Sequence, residues 1–228
     1  MIFLNVDLGE LAGEPEALYQ AAHAANVACG GHAGDDASMA RAAALCARHG
    51  TRLGAHPSYP DREGFGRKAV ALPAPELIET VREQCASLVQ KASAAGLAVT
   101  HLKPHGALYH AADADVGVAD ALLAGAVQSL GQAIAVIGPS GGALEAAARR
   151  IGLGYAREGF ADRGRRRAPD GRWQLIPRGE PGAIVAGPAE AVVVARRLVD
   201  EGEVDTVCVH GDHPRALEIA RAVREVLG

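Results

Sequence analysis

Residues 2–10, Ile-Phe-Leu-Asn-Val-Asp-Leu-Gly-Glu, form a short apolar run that ends in acidic residues. Similar runs alternate with longer segments of helical period along the chain, which is typical of βα units around a parallel sheet. The runs predict strands at 2–7, 24–29, 51–55, 97–102, 133–137, 154–158 and 205–209, with helices near 14–22, 35–49, 75–95, 114–130, 141–151, 188–201 and 213–227. Seven units predict an α/β fold, a seven-stranded β/α (TIM-like) barrel.

Composition narrows the class of protein. The 228 residues are 49% hydrophobic, so we expect one domain spanning 1–228. A formal net charge of -4 provides no basic field for nucleic acid. The first residues lack a basic leader, and no apolar run approaches the ~18 residues of a membrane span. We therefore expect a cytoplasmic protein without nucleic-acid or membrane partners.

The cysteines and one irregular segment carry further expectations. Cys29, Cys46, Cys85 and Cys208 have no paired short spacing, which predicts buried reduced thiols rather than a disulfide scaffold or a structural zinc site. Residues 160–182 are rich in Gly, Pro and Arg and interrupt the βα alternation, and Pro169-Asp170-Gly171 predicts the turn of a small hairpin. Such an insertion is either a lid or binding loop, or a solvated surface excursion.

Ionisable residues follow six of the seven predicted strands. In a parallel barrel the loops after the strands meet at one rim, where enzymes of this architecture place their active sites. The residues are Asp7 and Glu10, then His32 and Asp35, then His56, Asp61 and Arg67, then Lys103 and His105, then Glu158, Asp162 and Arg163, and finally His210 and Asp212. The pattern predicts a polar site at this rim, although Asp35 and Asp212 are equally compatible with helix caps.

Carboxylates with several imidazoles on one rim fit either a divalent metal site or a general acid/base pair acting on a carbonyl. The candidate catalytic residues are Asp7, Glu10, His32, His56, His105 and His210, and the candidate metal ligands are Asp7, His56 and His105. Lys103 and Arg163 are candidates for binding an oxyanion or a substrate carboxylate, and Asp162 and Asp212 complete the candidate substrate-binding set.

Other residues carry weaker signals. His23, His49, His101, His110 and His213 lie near helix ends or inside a strand, and we expect no functional role for them. Gly30-Gly31 and residues 138–142 precede predicted helices, but neither is a Walker motif. The residues by themselves therefore do not indicate ATP binding.

Ordered motifs along nearly the whole chain resemble those of the LamB/YcsF family of lactam-utilisation proteins. They are residues 5–10 (NVDLGE), 25–30 (ANVACG) with 32–35 (HAGD), 54–57 (GAHP), 59–61 (YPD), 64–67 (GFGR), 103–109 (KPHGALY), 160–163 (FADR), 177–178 (PR), 181–183 (PGA) and 209–212 (VHGD). The resemblance implies a barrel of the glycoside hydrolase/deacetylase kind. It also implies opening of 5-oxo-L-proline to L-glutamate with ATP as co-substrate, in a complex with 5-oxoprolinase subunits B and C (PxpB and PxpC).

Two interpretations stand beside this one. A stand-alone metal-dependent hydrolase or deacetylase would use the same barrel, and a non-catalytic subunit would only bind the lactam. The chain also departs from the family pattern, because residues 11–15 (LAGEP) replace a longer glycine-rich stretch and Gly31 stands where an aromatic residue is common. Both departures fall in loops of the predicted site and bear on the substrate.

Overall fold

The computed structural model describes residues 2–169, 171 and 173–228, and its strands form a closed barrel and a separate hairpin. In chain order the strands are β1 (Phe3–Leu8), β2 (Ala24–Ala28), β3 (Arg52–His56), β4 (Val99–Leu102), β5 (Ala135–Gly138), β6 (Gly154–Phe160), β7 (Arg165–Arg167), β8 (Trp173–Leu175) and β9 (Thr206–His210). All barrel strands are parallel, and β9 closes the sheet by pairing with β1 and β6. The predicted seven-stranded β/α barrel is confirmed.

Helices surround the barrel. They are α1 (Glu16–Ala21), α2 (Asp36–His49), α3 (Ala74–Ala94), α4 (Gly106–Ala114), α5 (Val116–Leu130), α6 (Ala143–Arg150), α7 (Pro188–Glu201) and α8 (Ala216–Leu227). None of the helices in the described part of the chain combines the length and apolar character that a bilayer crossing requires. All four cysteines are buried free thiols.

The predicted helix at 114–130 corresponds to α5 (Val116–Leu130), whereas α4, which also lies between β4 and β5, was not predicted. Gly106 begins α4 with a φ of 57°, and a Cβ there would lie 2.4 Å from the Gly66 carbonyl oxygen, so only glycine fits. The Asp115 side chain accepts a hydrogen bond from the Val118 amide and caps α5. His110 therefore lies inside α4.

The strands alternate between an apolar outer face and a polar lumen. In β1, Leu4 and Val6 pack outward in the hydrophobic core, while Asn5 and Asp7 are bonded inside the barrel. Asn26 Nδ2 donates to Asn5 Oδ1 and to Asp7 Oδ1, both at 2.7 Å, and His101 Nε2 lies 3.0 Å from Asn26 Oδ1. This hydrogen-bonded ladder fixes the Asp7 carboxylate at the end of β1.

The insertion contains the predicted hairpin, formed by β7 and β8 in antiparallel pairing. Two guanidinium groups contact the Trp173 ring, with Arg165 Cζ at 4.0 Å and Arg167 Cζ at 4.4 Å from its centroid. Asp170 of the predicted turn lies outside the described residues. The strands on either side of that turn thus form an ordered pair with a charged face.

We expect Gly54→Ala to destabilise the barrel by about 1–3 kcal/mol, because a Cβ there would lie 2.0 Å from His101 Nε2 and force the ladder apart. Urea unfolding of both proteins measures the change. Gly154→Ala is the control, since its Cβ would meet Ala135 at an ordinary 3.5 Å and should shift stability by no more than about 0.5 kcal/mol. Equal stability of the two variants would contradict this account of the lumen.

Candidate active site

Four buried side chains meet where the strands β1 to β4 end. Glu10, His32, His56 and His105 each offer one ligand atom, and these atoms lie within 4.8 Å of one another. Glu10 Oε1 lies 3.0 Å from His32 Nε2, 3.3 Å from His105 Nδ1 and 3.7 Å from His56 Nε2. We call these four residues the acid–histidine cluster.

Backbone carbonyls fix the tautomers of two of the histidines. His56 Nδ1 lies 2.8 Å from the Lys103 carbonyl oxygen, and His105 Nε2 lies 3.0 Å from the Phe65 carbonyl oxygen. A carbonyl only accepts, so these two nitrogens carry the ring hydrogens and donate. The other nitrogens, His56 Nε2 and His105 Nδ1, then face each other at 3.0 Å with their lone pairs. Two facing lone pairs beside a carboxylate form a place for a cation.

Burial favours the uncharged form of all four residues of the cluster. Burial lowers the pKa of His32 to about 3 and that of His105 to about 4, and it lowers the pKa of His56 well below its usual range. Burial also raises the pKa of Glu10 to about 7. Near neutral pH the three imidazoles are therefore neutral, as metal ligation requires.

The donor set fits a divalent ion of the zinc type. Nitrogen and oxygen ligands at the usual zinc distances would lie about 3.3 Å apart in a tetrahedron; Glu10 Oε1 lies 3.0–3.7 Å from the three histidine nitrogens, and all four ligand atoms lie within 4.8 Å of one another, so small side-chain shifts would bring them to one ion. His32 Nδ1 is buried without a hydrogen-bond partner in the described part of the chain. The structure thus places Glu10 and His32 with His56 and His105, whereas the sequence suggested Asp7 as the carboxylate ligand.

Asp7 lies beside the cluster but is held by Lys103. Lys103 Nζ lies 2.8 Å from Asp7 Oδ1, 2.9 Å from Glu158 Oε1 and 3.0 Å from Cys208 Sγ. Burial alone would raise the pKa of Asp7, but Lys103 together with His56 and His210 holds that pKa far below its ordinary value. Burial alone would lower the pKa of Lys103, but Asp7, Cys208 and Glu158 together raise it well above its ordinary value. Lys103, expected to bind an anion of the substrate, is therefore the counter-ion of the protein's own carboxylates.

A second titratable pair faces the cluster. His210 Nδ1 lies 2.9 Å from Asp162 Oδ2, the His210 amide donates to the same oxygen, and the Phe160 ring stacks on the imidazole at 5.2 Å between centroids. Burial would lower the pKa of His210, but the Asp162 carboxylate raises it above its usual value. His210 Nε2 lies 3.8 Å from Asp7 Oδ2. The free ring nitrogen of a protonation-prone imidazole is thus directed at the site.

The remaining candidates have structural partners. Arg163 Nε donates to the Ala183 carbonyl at 2.9 Å and its Nη2 to the Ile176 carbonyl at 2.8 Å, so the side chain anchors the insertion. The Asp162 carboxylate is hydrogen-bonded to His210. The Asp35 side chain forms a capping box at α2, in accord with the cap interpretation.

Phe65 and Arg178 were not predicted as site residues. Phe65 has a φ of 55° and its ring contacts His32 and His105, with centroids 5.4 and 5.6 Å apart. Arg178 comes from the insertion and forms an ion pair with Asp212. The glycines on either side of Phe65 hinted at a tight loop, whereas the position of Arg178 depends on how the insertion folds.

The fold and the site define a β/α-barrel protein with a buried carboxylate–histidine centre at the carboxyl ends of its strands. The chain belongs to the LamB/YcsF family, whose profile matches residues 2–228.

Individual relatives agree with this placement. The chain is 45% identical to the 5-oxoprolinase A subunit of Methylococcus capsulatus, over 98% of this chain and 90% of that protein. The crystal structure of a lactam utilization protein from Thermus thermophilus is similar with a TM-score of 0.89 and 37% identity, over 99% of this chain and 95% of the other. A structure described as T48 deacetylase with substrate shares the fold alone, with a TM-score of 0.50 and 14% identity over 99% and 82% of the two chains. The likeness to that deacetylase extends to the barrel fold.

We expect Asp162→Asn to cost more stability at about pH 6 than at about pH 9. The raised pKa of His210 means that its charge stabilises the fold below its usual pKa of about 6.5 and that this contribution is lost as pH rises through the folded value. Because the pKa of Asp162 is lowered, it is ionised at both pH values. The stability loss in Asp162→Asn should therefore be larger at the lower pH by about 1 kcal/mol, which is the difference in free energy between a charged and a neutral hydrogen bond. Urea unfolding at both pH values measures it, and a pH-independent loss would contradict the pairing.

Proposed function

We propose that this chain is the A component (PxpA) of an ATP-hydrolysing 5-oxoprolinase and contains the site at which the lactam ring is opened, acting with subunits B and C. The observation that carries the proposal is the acid–histidine cluster opposite the Asp162–His210 pair. Membership of the LamB/YcsF family and the 45% identity to a protein named as the 5-oxoprolinase A subunit support the choice of substrate.

The reaction adds water to the lactam carbonyl carbon and breaks the bond between that carbon and the ring nitrogen. The nitrogen leaves with a proton, and the product is L-glutamate. Opening an unstrained five-membered lactam is unfavourable, so ATP would transfer its γ-phosphoryl group to the amide oxygen and release ADP; water would then attack the activated ring carbon, and the phosphoryl group would leave as inorganic phosphate. The site must therefore stabilise charge on the carbonyl oxygen and deliver a proton to the leaving nitrogen.

The cluster residues Glu10, His32, His56 and His105 would hold a divalent metal. A metal bound there would act as a Lewis acid on a carbonyl oxygen and lower the pKa of a water molecule. The histidine tautomers set by the Lys103 and Phe65 carbonyls would orient the ligand nitrogens.

The chain's other residues supply the proton transfer. The Asp162 carboxylate favours the protonated form of His210, whose Nε2 is directed at the site and can give its proton to the ring nitrogen. Asp7 Oδ2 lies 3.6 Å from His56 Nε2 and 3.8 Å from His210 Nε2, where it can accept a hydrogen bond from the attacking water. Lys103 keeps Asp7 ionised for this task.

A stand-alone metal-dependent hydrolase is the second candidate, because the acid–histidine cluster alone would suffice for it. It predicts amide or ester hydrolysis by the purified chain with added Zn²⁺ and without ATP or partner subunits. A non-catalytic binding role is less well supported, because binding a small lactam does not call for so many buried titratable groups.

We expect His105→Ala to lower ATP-dependent glutamate release from 5-oxoproline by at least about a hundredfold, because it removes one cluster ligand. The assay mixes the chain with subunits B and C and follows glutamate and ADP. His49→Ala is the control, since His49 pairs with Glu16 at the end of α2 and should leave turnover unchanged. Unchanged turnover in His105→Ala would remove the cluster from the reaction, and weaker binding with unchanged turnover would favour the binding role.

We expect chelator-treated protein to bind one Zn²⁺ or Mn²⁺ ion, and Glu10→Gln or His56→Ala to weaken that binding at least about tenfold. Titration calorimetry with elemental analysis measures both. His213→Ala is the control, because His213 Nε2 contacts the Val185 carbonyl outside the cluster. Absence of binding to the unsubstituted chain, or equal affinity in Glu10→Gln, would contradict the metal assignment.

A further inference from the structure

Two arginines surround one carboxylate next to the acid–histidine cluster. Arg67 Nη2 forms an ion pair with Asp212 Oδ2, and Arg178 Nη2 lies 3.7 Å from Asp212 Oδ1. The second contact is an ion pair without a hydrogen bond, and Asp212 Oδ1 is buried with no hydrogen-bond partner among the described residues. Because the two guanidinium groups carry two positive charges and the carboxylate carries one negative charge, this group of three side chains has a net charge of +1.

Both guanidinium groups remain accessible. The side chain of Arg67 is 37% exposed and that of Arg178 is 34% exposed, whereas that of Asp212 is only 15% exposed. A small anion can therefore approach the arginines from the solvent side while Asp212 stays behind them. Five N–H donors on each guanidinium exceed what one carboxylate accepts.

The loop that presents Arg67 is built rigidly. Asp61 accepts from the Gly64 amide at 2.9 Å and from the Lys68 amide at 3.1 Å, and its carbonyl accepts from the Gly66 amide at 2.7 Å. Among the described residues, Phe65 is the one non-glycine with a positive φ. A non-glycine residue whose backbone is held at a positive φ requires support from its surroundings, and such residues cluster at ligand-binding sites.

Phe65 joins the arginine to the cluster. Its ring packs edge-on against His32 and His105, and Arg67 Cζ lies 4.7 Å from its centroid. The guanidinium is therefore separated from the histidines by about one aromatic ring. A small ligand with a reacting group at the cluster would place a nearby negative group at Arg67.

Arg178 is positioned from the other side of the mouth. Arg163 binds the carbonyls of Ile176 and Ala183, which flank Arg178 in the insertion. Arg163 thus holds the segment that carries Arg178, and the insertion contributes directly to the site.

We propose that Arg67 and Arg178 form a clamp for the carboxylate of the small-molecule substrate, with Asp212 as the internal counter-ion. The identity of the ligand as 5-oxoproline rests on the proposed function, whereas the clamp itself rests on the geometry. A carboxylate fits better than a phosphate, because each arginine already faces a different oxygen of one planar carboxylate.

The test measures binding of three ligands to the full chain by titration calorimetry. 5-Oxoproline has both the lactam and the carboxylate, 2-pyrrolidinone has only the lactam, and cyclopentanecarboxylate has only the carboxylate. We expect Arg67→Gln and Arg178→Gln each to weaken binding of the two carboxylates about tenfold to a hundredfold and to leave 2-pyrrolidinone unchanged. Arg67→Lys should restore part of the affinity.

Arg166→Gln is the matched control, because Arg166 lies on the hairpin and pairs with Glu180. Circular dichroism of every variant verifies the fold. The clamp is overturned if the unsubstituted chain binds neither carboxylate, if the Arg variants bind both unchanged, or if inorganic phosphate displaces 5-oxoproline in an Arg67-dependent way at lower concentration than cyclopentanecarboxylate does. Arginine-dependent carboxylate binding without lactam opening in the presence of subunits B and C would leave the clamp standing and reject the proposed function.

Discussion

The Lys103 ammonium holds two carboxylates from different strands, Asp7 of β1 and Glu158 of β6, inside a closed barrel. Without that charge the pKa of both acids would rise in a region that water does not reach; with it the pKa of Asp7 is held far below its ordinary value, while burial still raises that of Glu158. Because Asp7 Oδ1 is also bonded to Asn26, only Oδ2 is left to face His56 and His210. The orientation of the whole site therefore depends on this one buried contact.

The two sides of the barrel mouth carry residues with different protonation states. The loops after β1 to β4 supply neutral imidazoles and a carboxylate suited to a cation, and the loops after β6 and β9 supply a histidine that favours its protonated form. Opposite protonation preferences arise because burial dominates on one side, whereas the Asp162 charge dominates on the other. A site that must both activate a carbonyl and protonate a leaving group needs this asymmetry.

The sequence predicted the barrel and brought the polar residues to one rim, because strand ends are marked by apolar runs that stop at charged residues. It did not show which carboxylate joins the histidines. Asp7 and Glu10 are both carboxylates at the end of the first predicted strand, and the sequence does not distinguish them. The alternation of side chains within β1 directs the Asp7 carboxylate into the barrel lumen, where Lys103 binds it. The sequence likewise did not show that Arg163 and Arg178 have different roles. Arg163 donates to backbone carbonyls and Arg178 remains accessible, and this difference depends on how the insertion folds.

Gly31, directly before His32, lies against a hydrogen-bonded side chain with no room for a Cβ. A Cβ at this position would lie 2.5 Å from both Gln84 Oε1 and Ser58 Oγ, and the Gln84 side chain accepts from the Ser58 amide and donates to its carbonyl. A side chain at position 31 would therefore have to displace the Gln84 and Ser58 side chains and break their hydrogen bonds. The shape of the loop that carries His32 is thus coupled, through glycine at position 31, to a side chain of α3.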